Sequence, residues 1–368
     1  KQWQFIDSIP LLSNRLALDL PVIKENYYIQ LGISSGNQVI YREAIQYNNN
    51  HSWGLLQWLK LIGSMGLLIY GMKILSDSAQ QLSGTRLRNF MESLTSNSFK
   101  SILTGLGITA LIQASAITVI MTSSFTSAGL ISLRQAAGVI MGANIGTTIK
   151  GWLISVVGWD LNLYQYALAL FAVSIPLLFI NKSNIRSIGN LIIGLALLLL
   201  GLDFLKNCVP SLSTETPWVQ FLIGYQEIPL FSTLLFVLIG ILITFMVQSS
   251  SAAMILTMAL ISSGVLSFEM GVAMILGENI GTTITSEIAA MIGNTNAKRT
   301  VRIHTLFNII GTTWAILALP VLIDIISYTM DYLGWGNPTT HPGKDGALGL
   351  AFFHCLFNVL NTLLLVGF

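Results

Sequence analysis

Two nearly identical octapeptides, Gly142-Ala-Asn-Ile-Gly-Thr-Thr-Ile149 and Gly277-Glu-Asn-Ile-Gly-Thr-Thr-Ile284, lie 135 positions apart in this sequence. The similarity around them is longer, because Gly105–Gly158 aligns without a gap on Gly240–Gly293, with 19 identities in 54 positions. Many of these identities are polar residues or glycines rather than interchangeable apolar ones. A repeat of this kind predicts that the chain is built from two equivalent halves.

The composition predicts that a lipid bilayer is the solvent of this chain. Of its 368 residues 53% are hydrophobic and only 9% are charged, against about 25% charged in a typical soluble domain. This excludes an ordinary soluble enzyme, and the lack of a basic run argues against nucleic acid as a partner. Seven segments of about twenty mainly apolar residues could span the hydrocarbon core; they lie at 53–82, 132–158, 162–181, 188–207, 268–293, 301–323 and 346–367.

Two further stretches, Ser101–Leu133 and Ile228–Phe268, carry no charge for 33 and 41 positions and are too long for one span. Each is interrupted near its middle by a polar cluster, Gln113-Ala-Ser-Ala116 in the first and Gln248-Ser-Ser-Ser251 in the second. Polar groups at that depth must be shielded from hydrocarbon by protein. We therefore expect two re-entrant helical hairpins that turn at these clusters.

The basic residues of the short loops predict the orientation, since Lys and Arg accumulate on the cytoplasmic side. Loops 83–100 and 182–187 and the stretch 298–302 are basic and are expected inside, whereas loops 158–163, 208–228 and 327–345 are expected outside. These loop sides are consistent with one another only if the hairpins do not cross the membrane. Each half then crosses the membrane three times, so the two halves have inverted topology. Inverted repeats with broken helices are typical of secondary transporters.

The predicted fold class is thus an all-α polytopic membrane protein of two inverted repeats, each with a re-entrant hairpin. The N-terminus is expected outside and the C-terminus in the cytoplasm, with the chain in the plasma membrane. In the short N-terminal extension, alternating polar and apolar residues favour strands. The predicted domains are the exoplasmic extension at 1–52, repeat 1 at 53–187, repeat 2 at 188–325, and an outer loop with a C-terminal transmembrane helix at 326–368.

The polar motifs predict a site for an anion and for its coupling cation. Helix N-termini and hydroxyls at the hairpin turns attract anions, and amide or hydroxyl oxygens can replace the water around Na⁺. For the anion we expect Gln113, Ser115, Asn144, Gln248, Ser249, Ser250, Ser251 and Asn279. For Na⁺, the only metal expected, the candidates are Gln113, Asn144, Thr147, Thr148, Gln248, Asn279, Thr282 and Thr283.

The doubled Q-S-S-S-type break followed by G-A/E-N-I-G-T-T resembles the sodium/phosphate cotransporter family, the type II group that includes bacterial members. The resemblance covers about 53–368. It implies Na⁺-coupled symport of inorganic phosphate by alternating access, in a bacterial inner membrane. Phosphate, Na⁺ and the lipid bilayer are then the partners, Na⁺ as coupling ion takes the place of a cofactor, no enzymatic activity is expected, and a homodimer is one assembly left open.

Two departures from that pattern bear on the coupling ion. The first break lacks two of the hydroxyls of the second, and Lys150 follows the first octapeptide where the second has Thr285. An ionised group at mid-bilayer usually faces a cavity or a partner. We expect Lys150 to pair with Glu278 or Glu287, or to stand in for a bound cation and so alter Na⁺ dependence; the alternative is that it snorkels from near the helix end.

Two matched histidines leave other functions open. His304 and Asn308, like His354 and Asn358, are four residues apart on one helix face, which suits a proton relay or simple packing between spans. The alternatives to phosphate symport are transport of another small anion or a phosphorylated head group, an intramembrane enzyme that uses Ser250 with one of the histidines, and a non-transporting regulatory protein of the same fold.

Overall fold

The computed structural model describes residues 27–29, 32–35, 38–41, 45–47, 55–94, 97–157, 163–208 and 229–367. The chain divides into two compact units, Lys1–Gly54 and Leu55–Phe368. Most of the predicted outer loops at 158–163 and 208–228 lies outside the described residues.

The first unit contains four short strands in the described part, as its alternating pattern predicts. They are β1 (Tyr27–Ile29), β2 (Gly32–Ser35), β3 (Gln38–Tyr41) and β4 (Ile45–Tyr47). β1 pairs with β4 and β2 with β3, both antiparallel. No candidate site residue falls in this unit.

The second unit is helical throughout its described residues, which confirms the predicted all-α class. Its helices are α1 (Leu55–Leu94), α2 (Ser98–Ile112), α3 (Ser115–Ser127), α4 (Leu133–Val157), α5 (Leu163–Leu178), α6 (Ser183–Cys208), α7 (Pro229–Val247), α8 (Ser250–Ser262), α9 (Phe268–Ala290), α10 (Thr295–Leu317), α11 (Leu319–Tyr332) and α12 (Pro342–Leu365).

Four of these helices are long and apolar enough to cross a membrane. They contain Trp58–Leu82, Ser183–Leu205, Leu230–Val247 and Pro342–Leu365, and three of them match predicted spans. The third forms the first arm of the second predicted hairpin and is long enough to cross by itself. The predicted spans at 132–158, 162–181 and 268–293 are single helices, α4, α5 and α9, but none of them is among the helices long and apolar enough to cross.

The predicted span at 301–323 is wrong in its second part. α10 ends at Leu317, and α11 leaves it at an angle of 80°. The sequence favours this break because Pro320 lies in the first turn of α11, where a missing N–H is tolerated. α10 and α11 together count as one further span at most.

The chain reverses direction at the first polar break, as the alignment of α2 and α4 shows. A Cβ at Gly142 would meet the carbonyl oxygen of Ile102, and a Cβ at Gly146 would come within 2.7 Å of that of Leu106. Both pairs are 40 positions apart, so α2 and α4 run parallel and side by side. Since α4 begins shortly after α3 ends, α3 must return the chain to the level at which α2 began.

The second half repeats this arrangement with the same spacing. A Cβ at Gly277 would meet the carbonyl oxygen of Val237, and one at Gly281 would come within 2.8 Å of that of Ile241. α7 and α9 are therefore parallel neighbours, and α8 returns the chain between them. Re-entry of these hairpins from opposite membrane faces stays a prediction.

α1 and α6, the first helices of the two halves, contact each other reciprocally. In the repeat Gly71 corresponds to Gly201 and Leu68 to Leu198. A Cβ at Gly71 would lie 2.6 Å from the backbone nitrogen of Leu198, and one at Gly201 would lie 2.7 Å from that of Leu68. Later residues of one helix meet earlier residues of the other, so the two helices run antiparallel.

The two halves also share one apolar core. α12 packs against α4 of the first half and against α8 of the second. The core around it includes Met254, Leu276, Phe353 and Phe357, all nearly inaccessible.

Candidate functional site

Both helix breaks fall at the predicted glutamines. Gln113 and Gln248 have φ angles of 61° and 54°, in the left-handed region that non-glycine residues seldom adopt. Their backbone N–H groups donate to the carbonyl oxygens of Thr109 and Thr244, each at 2.7 Å. The next helices begin at matched positions, Ser115 and Ser250, so the two breaks are copies of one structure.

The two breaks differ in how the following helix begins. The side chain of Ser249 accepts a hydrogen bond from the N–H of Ala252 at 3.3 Å and caps α8. Its counterpart Ala114 offers no side-chain cap to α3. The missing hydroxyls of the first cluster therefore leave the first-turn N–H groups of α3 without a side-chain acceptor.

The conserved spacing places each octapeptide beside its own break. A Cβ at Gly146 would lie 2.9 Å from Cβ of Thr109, and one at Gly281 would lie 2.8 Å from Cβ of Thr244. These threonines are in the last turn before the breaks. Within each half, the two predicted motifs are therefore neighbours.

The threonine hydroxyls and asparagine amides of the octapeptides present acceptor oxygens. Each asparagine amide and threonine hydroxyl donates to a carbonyl of its own helix, at 2.7 to 3.0 Å. A threonine hydroxyl whose hydrogen is committed in this way can only accept, and each asparagine keeps its amide oxygen beside one remaining N–H, so these oxygens suit a cation. The residues are Asn144, Thr147, Thr148, Asn279, Thr282 and Thr283.

Asn279 has a second partner that its sequence motif does not reveal. Nε2 of His354 on α12 lies 3.2 Å from Oδ1 of Asn279, and both side chains are buried. Within the described helices, four buried atoms of the two matched His–Asn pairs have no hydrogen-bond partner: Nδ1 of His354, Oδ1 of Asn358, Nδ1 of His304 and Oδ1 of Asn308. His354 thus contacts the octapeptide and not Ser250, so no Ser–His pair is formed there.

Lys150 reaches across to the other half of the molecule. Its Nζ donates to Oγ of Ser251 at 2.9 Å, and Ser251 is buried. Among the described residues, Glu278 accepts from Thr257 at 2.7 Å and Glu287 pairs with Arg302 at 3.5 Å. The expected pairing of Lys150 with Glu278 or Glu287 is therefore wrong, because both carboxylates are engaged elsewhere.

Thr257 is a site neighbour that the sequence analysis missed. It contacts Glu278, the residue that distinguishes the second octapeptide from the first. The signal was available, because Thr257 is identical to its counterpart Thr122 in the repeat. Both threonines are fully buried.

The accessibility of the remaining candidates varies along the breaks. Ser115 is buried, Gln113, Ser249 and Ser250 are half-buried, and Gln248 is exposed.

The Lys150–Ser251 hydrogen bond joins the first octapeptide helix to the second break. A buried hydrogen bond of 2.7 Å between the hydroxyls of Thr126 and Thr300 further connects the halves.

The fold and these paired motifs define an integral membrane protein with two copies of one polar site. The chain belongs to the Na⁺/Pi-cotransporter family, whose model matches residues 67–207 and 231–336. This confirms the resemblance seen in the paired motifs. The family is one of phosphate transporters.

Individual relatives are more distant and are matched over different lengths. The "Putative inorganic phosphate export protein YjbB" of Escherichia coli is 26% identical over 314 residues, which cover 85% of this chain and 54% of that protein. The chain thus spans about half the length of that relative. The "Uncharacterized protein YqeW" of Bacillus subtilis is 24% identical over 83% of this chain and 94% of its own length.

A human relative shares a shorter segment. The "Sodium-dependent phosphate transport protein 2B" is 32% identical over 104 residues, 28% of this chain and 15% of that protein. No solved structure matches the chain significantly.

Proposed function

We propose that this chain is a secondary active transporter of inorganic phosphate coupled to Na⁺, working by alternating access between its two halves. The observation that carries the proposal is the pair of left-handed helix breaks, each beside an octapeptide of committed amides and hydroxyls. Two copies of one polar site between interlocked halves suit a carrier that opens to either side.

The octapeptides and the helix breaks are assigned to different ions. The octapeptides offer acceptor oxygens, so we assign Asn144, Thr147, Thr148, Thr282 and Thr283 to Na⁺. Asn279 belongs to the same group, with its carbonyl oxygen shared with His354. The breaks offer helix N-termini and serine hydroxyls, so we assign Gln113, Ser115, Gln248, Ser249, Ser250 and Ser251 to phosphate.

The reciprocal contact of α1 and α6 supports inversion of the halves. Matched helices that run antiparallel and exchange equivalent contacts are what a two-fold axis perpendicular to both helices would produce. For helices that cross the membrane, such an axis lies in the membrane plane. Each break would then be reached from a different side of the membrane.

The test is uptake and efflux of labelled phosphate in liposomes that contain the purified chain, with and without a Na⁺ gradient. The variant Gln248→Gly with Ser250→Ala removes two side chains but tolerates the positive φ of residue 248. We expect it to lose gradient-driven transport. Measuring both directions also covers an exporter, as the name of the Escherichia coli relative suggests.

The matched control is Ser263→Ala, because the Ser263 hydroxyl donates to the carbonyl of Leu260 in the same helix end. This control should transport like the parent chain. Equal transport by the double variant would refute the assignment of the second break. Transport of sulfate or a phosphorylated head group in place of phosphate would support the alternative substrates.

A further inference from the structure

The candidate site contains one fixed positive charge, and it is placed asymmetrically. Lys150 belongs to the first half but donates to Ser251 in the second break. In the repeat, Lys150 corresponds to Thr285 of the second half, and Ser251 corresponds to Ala116 of the first break. Alanine cannot accept a hydrogen bond through its side chain, so the polar link of Lys150 and Ser251 has no equivalent there.

The charge of Lys150 is not neutralised by a carboxylate in the described part of the chain. Glu287 pairs with Arg302, and Glu278 accepts from Thr257. Lys150 is half-buried and its hydrogen-bond partner is an uncharged hydroxyl. A half-buried cation without a counter-charge among the described carboxylates attracts an anion into the site.

An ammonium group and a sodium ion can make the same contact with a serine hydroxyl. Both are monovalent cations, and both are attracted to the oxygen lone pairs of Ser251, whose hydroxyl hydrogen stays available to donate to phosphate. The hydroxyl is already occupied by Nζ at 2.9 Å. A sodium ion at that oxygen would have to displace Lys150 against its charge.

We propose that Lys150 is a tethered cation that takes the place of one coupling sodium ion at the second break. This inference rests on the proposed function and specifies its coupling. When the site is empty, the charge of Lys150 has no counter-charge as the carrier changes from one orientation to the other. When phosphate is bound, its negative charge balances that of Lys150. Movement of the loaded carrier is therefore favoured, and the chain exchanges phosphate across the membrane more readily than it accumulates phosphate with Na⁺.

The experiment compares the parent chain with Lys150→Thr, which installs the residue of the matched position 285. Phosphate-loaded liposomes are assayed for uptake of labelled phosphate in sodium or choline medium. Removal of Na⁺ should reduce exchange by Lys150→Thr about tenfold more than it reduces exchange by the parent chain, as a typical coupling energy between two ligands implies.

Three controls separate the charge from the fold. Lys150→Arg keeps the charge and should behave like the parent chain. Ser251→Ala keeps the charge of Lys150 but removes its hydrogen-bond partner. It should weaken phosphate exchange without making that exchange more dependent on Na⁺ than in the parent chain. Lys298→Thr removes an exposed lysine elsewhere and should change neither measurement; monodisperse elution in detergent verifies the fold of each variant.

The outcomes distinguish this inference from the proposed function. If the parent chain and Lys150→Thr both exchange phosphate with the same dependence on Na⁺, Lys150 does not replace a cation and only this inference fails. If neither folded protein moves phosphate in either medium, the proposed function fails and takes the inference with it. If Lys150→Arg needs Na⁺ like Lys150→Thr, the positive charge is not the cause.

Discussion

Asn279 and Lys150 each contact a side chain that belongs to another helix. The repeat singled out Asn279 and Lys150 because each stands at a matched position. Their partners, His354 and Ser251, come from other helices and differ between the halves. A partner that has no counterpart in the repeat leaves no signal in the repeat, so the pairing of Lys150 with a glutamate was predicted wrongly.

The buried contact between His354 and Asn279 should contribute to stability. His354→Ala leaves Oδ1 of Asn279 without its partner in a buried position, so we expect the free energy of unfolding in detergent to fall by about 1–3 kcal/mol. His354→Gln retains a donor and should lose less. Equal losses in the two variants would show that packing alone is responsible.

Glu278 should be replaceable by its amide but not by alanine. Glu278→Gln keeps an acceptor for the hydroxyl of Thr257 and removes a carboxylate from a buried position. The free energy of unfolding should therefore change by less than about 1 kcal/mol. Glu278→Ala also leaves a cavity and should cost about 2–5 kcal/mol. Thermal unfolding of both variants in detergent measures the difference, and strong destabilisation by the amide would indicate that the charge itself is required.

Among the elements, the broken helices were well predicted and the bend at residue 318 was not. The polar clusters indicated the breaks. A continuous helix over an uncharged stretch of that length would be longer than the bilayer is thick, so the helix must be interrupted. The region 301–323 is mainly apolar around residue 318 and gave no comparable signal apart from Pro320. Proline is compatible with the first turn of a helix as well as with a kink, so its position alone does not fix where α10 ends.

The parallel packing of α2 and α4 depends on a missing side chain. A Cβ at Gly142 would meet the backbone of Ile102, so Gly142→Ala must push the helices apart and should cost about 1–3 kcal/mol of unfolding free energy. Gly63→Ala is the control, because no atom lies within 4 Å of its added Cβ. That control should be neutral or stabilising by up to about 1 kcal/mol; equal destabilisation by both would contradict the packing argument.

For the whole molecule, composition and repeat predicted the class, and the loop charges predict an orientation that labelling can test. In a chain with Cys208 and Cys355 replaced by serine, Thr340→Cys should react with a membrane-impermeant maleimide from outside intact cells. Lys182→Cys should react only after permeabilisation. Both positions are exposed, so a reversed labelling pattern would invert the topology.

The glycine contact between α1 and α6 has a consequence for motion. Atoms close to a two-fold axis are displaced least when the two halves rotate against each other about that region. Gly71 and Gly201 let the two backbones touch there, beside the buried side chains of Leu68 and Leu198. Under the proposed alternating access, α1 and α6 would form the axis of rotation, and the polar breaks would move around it.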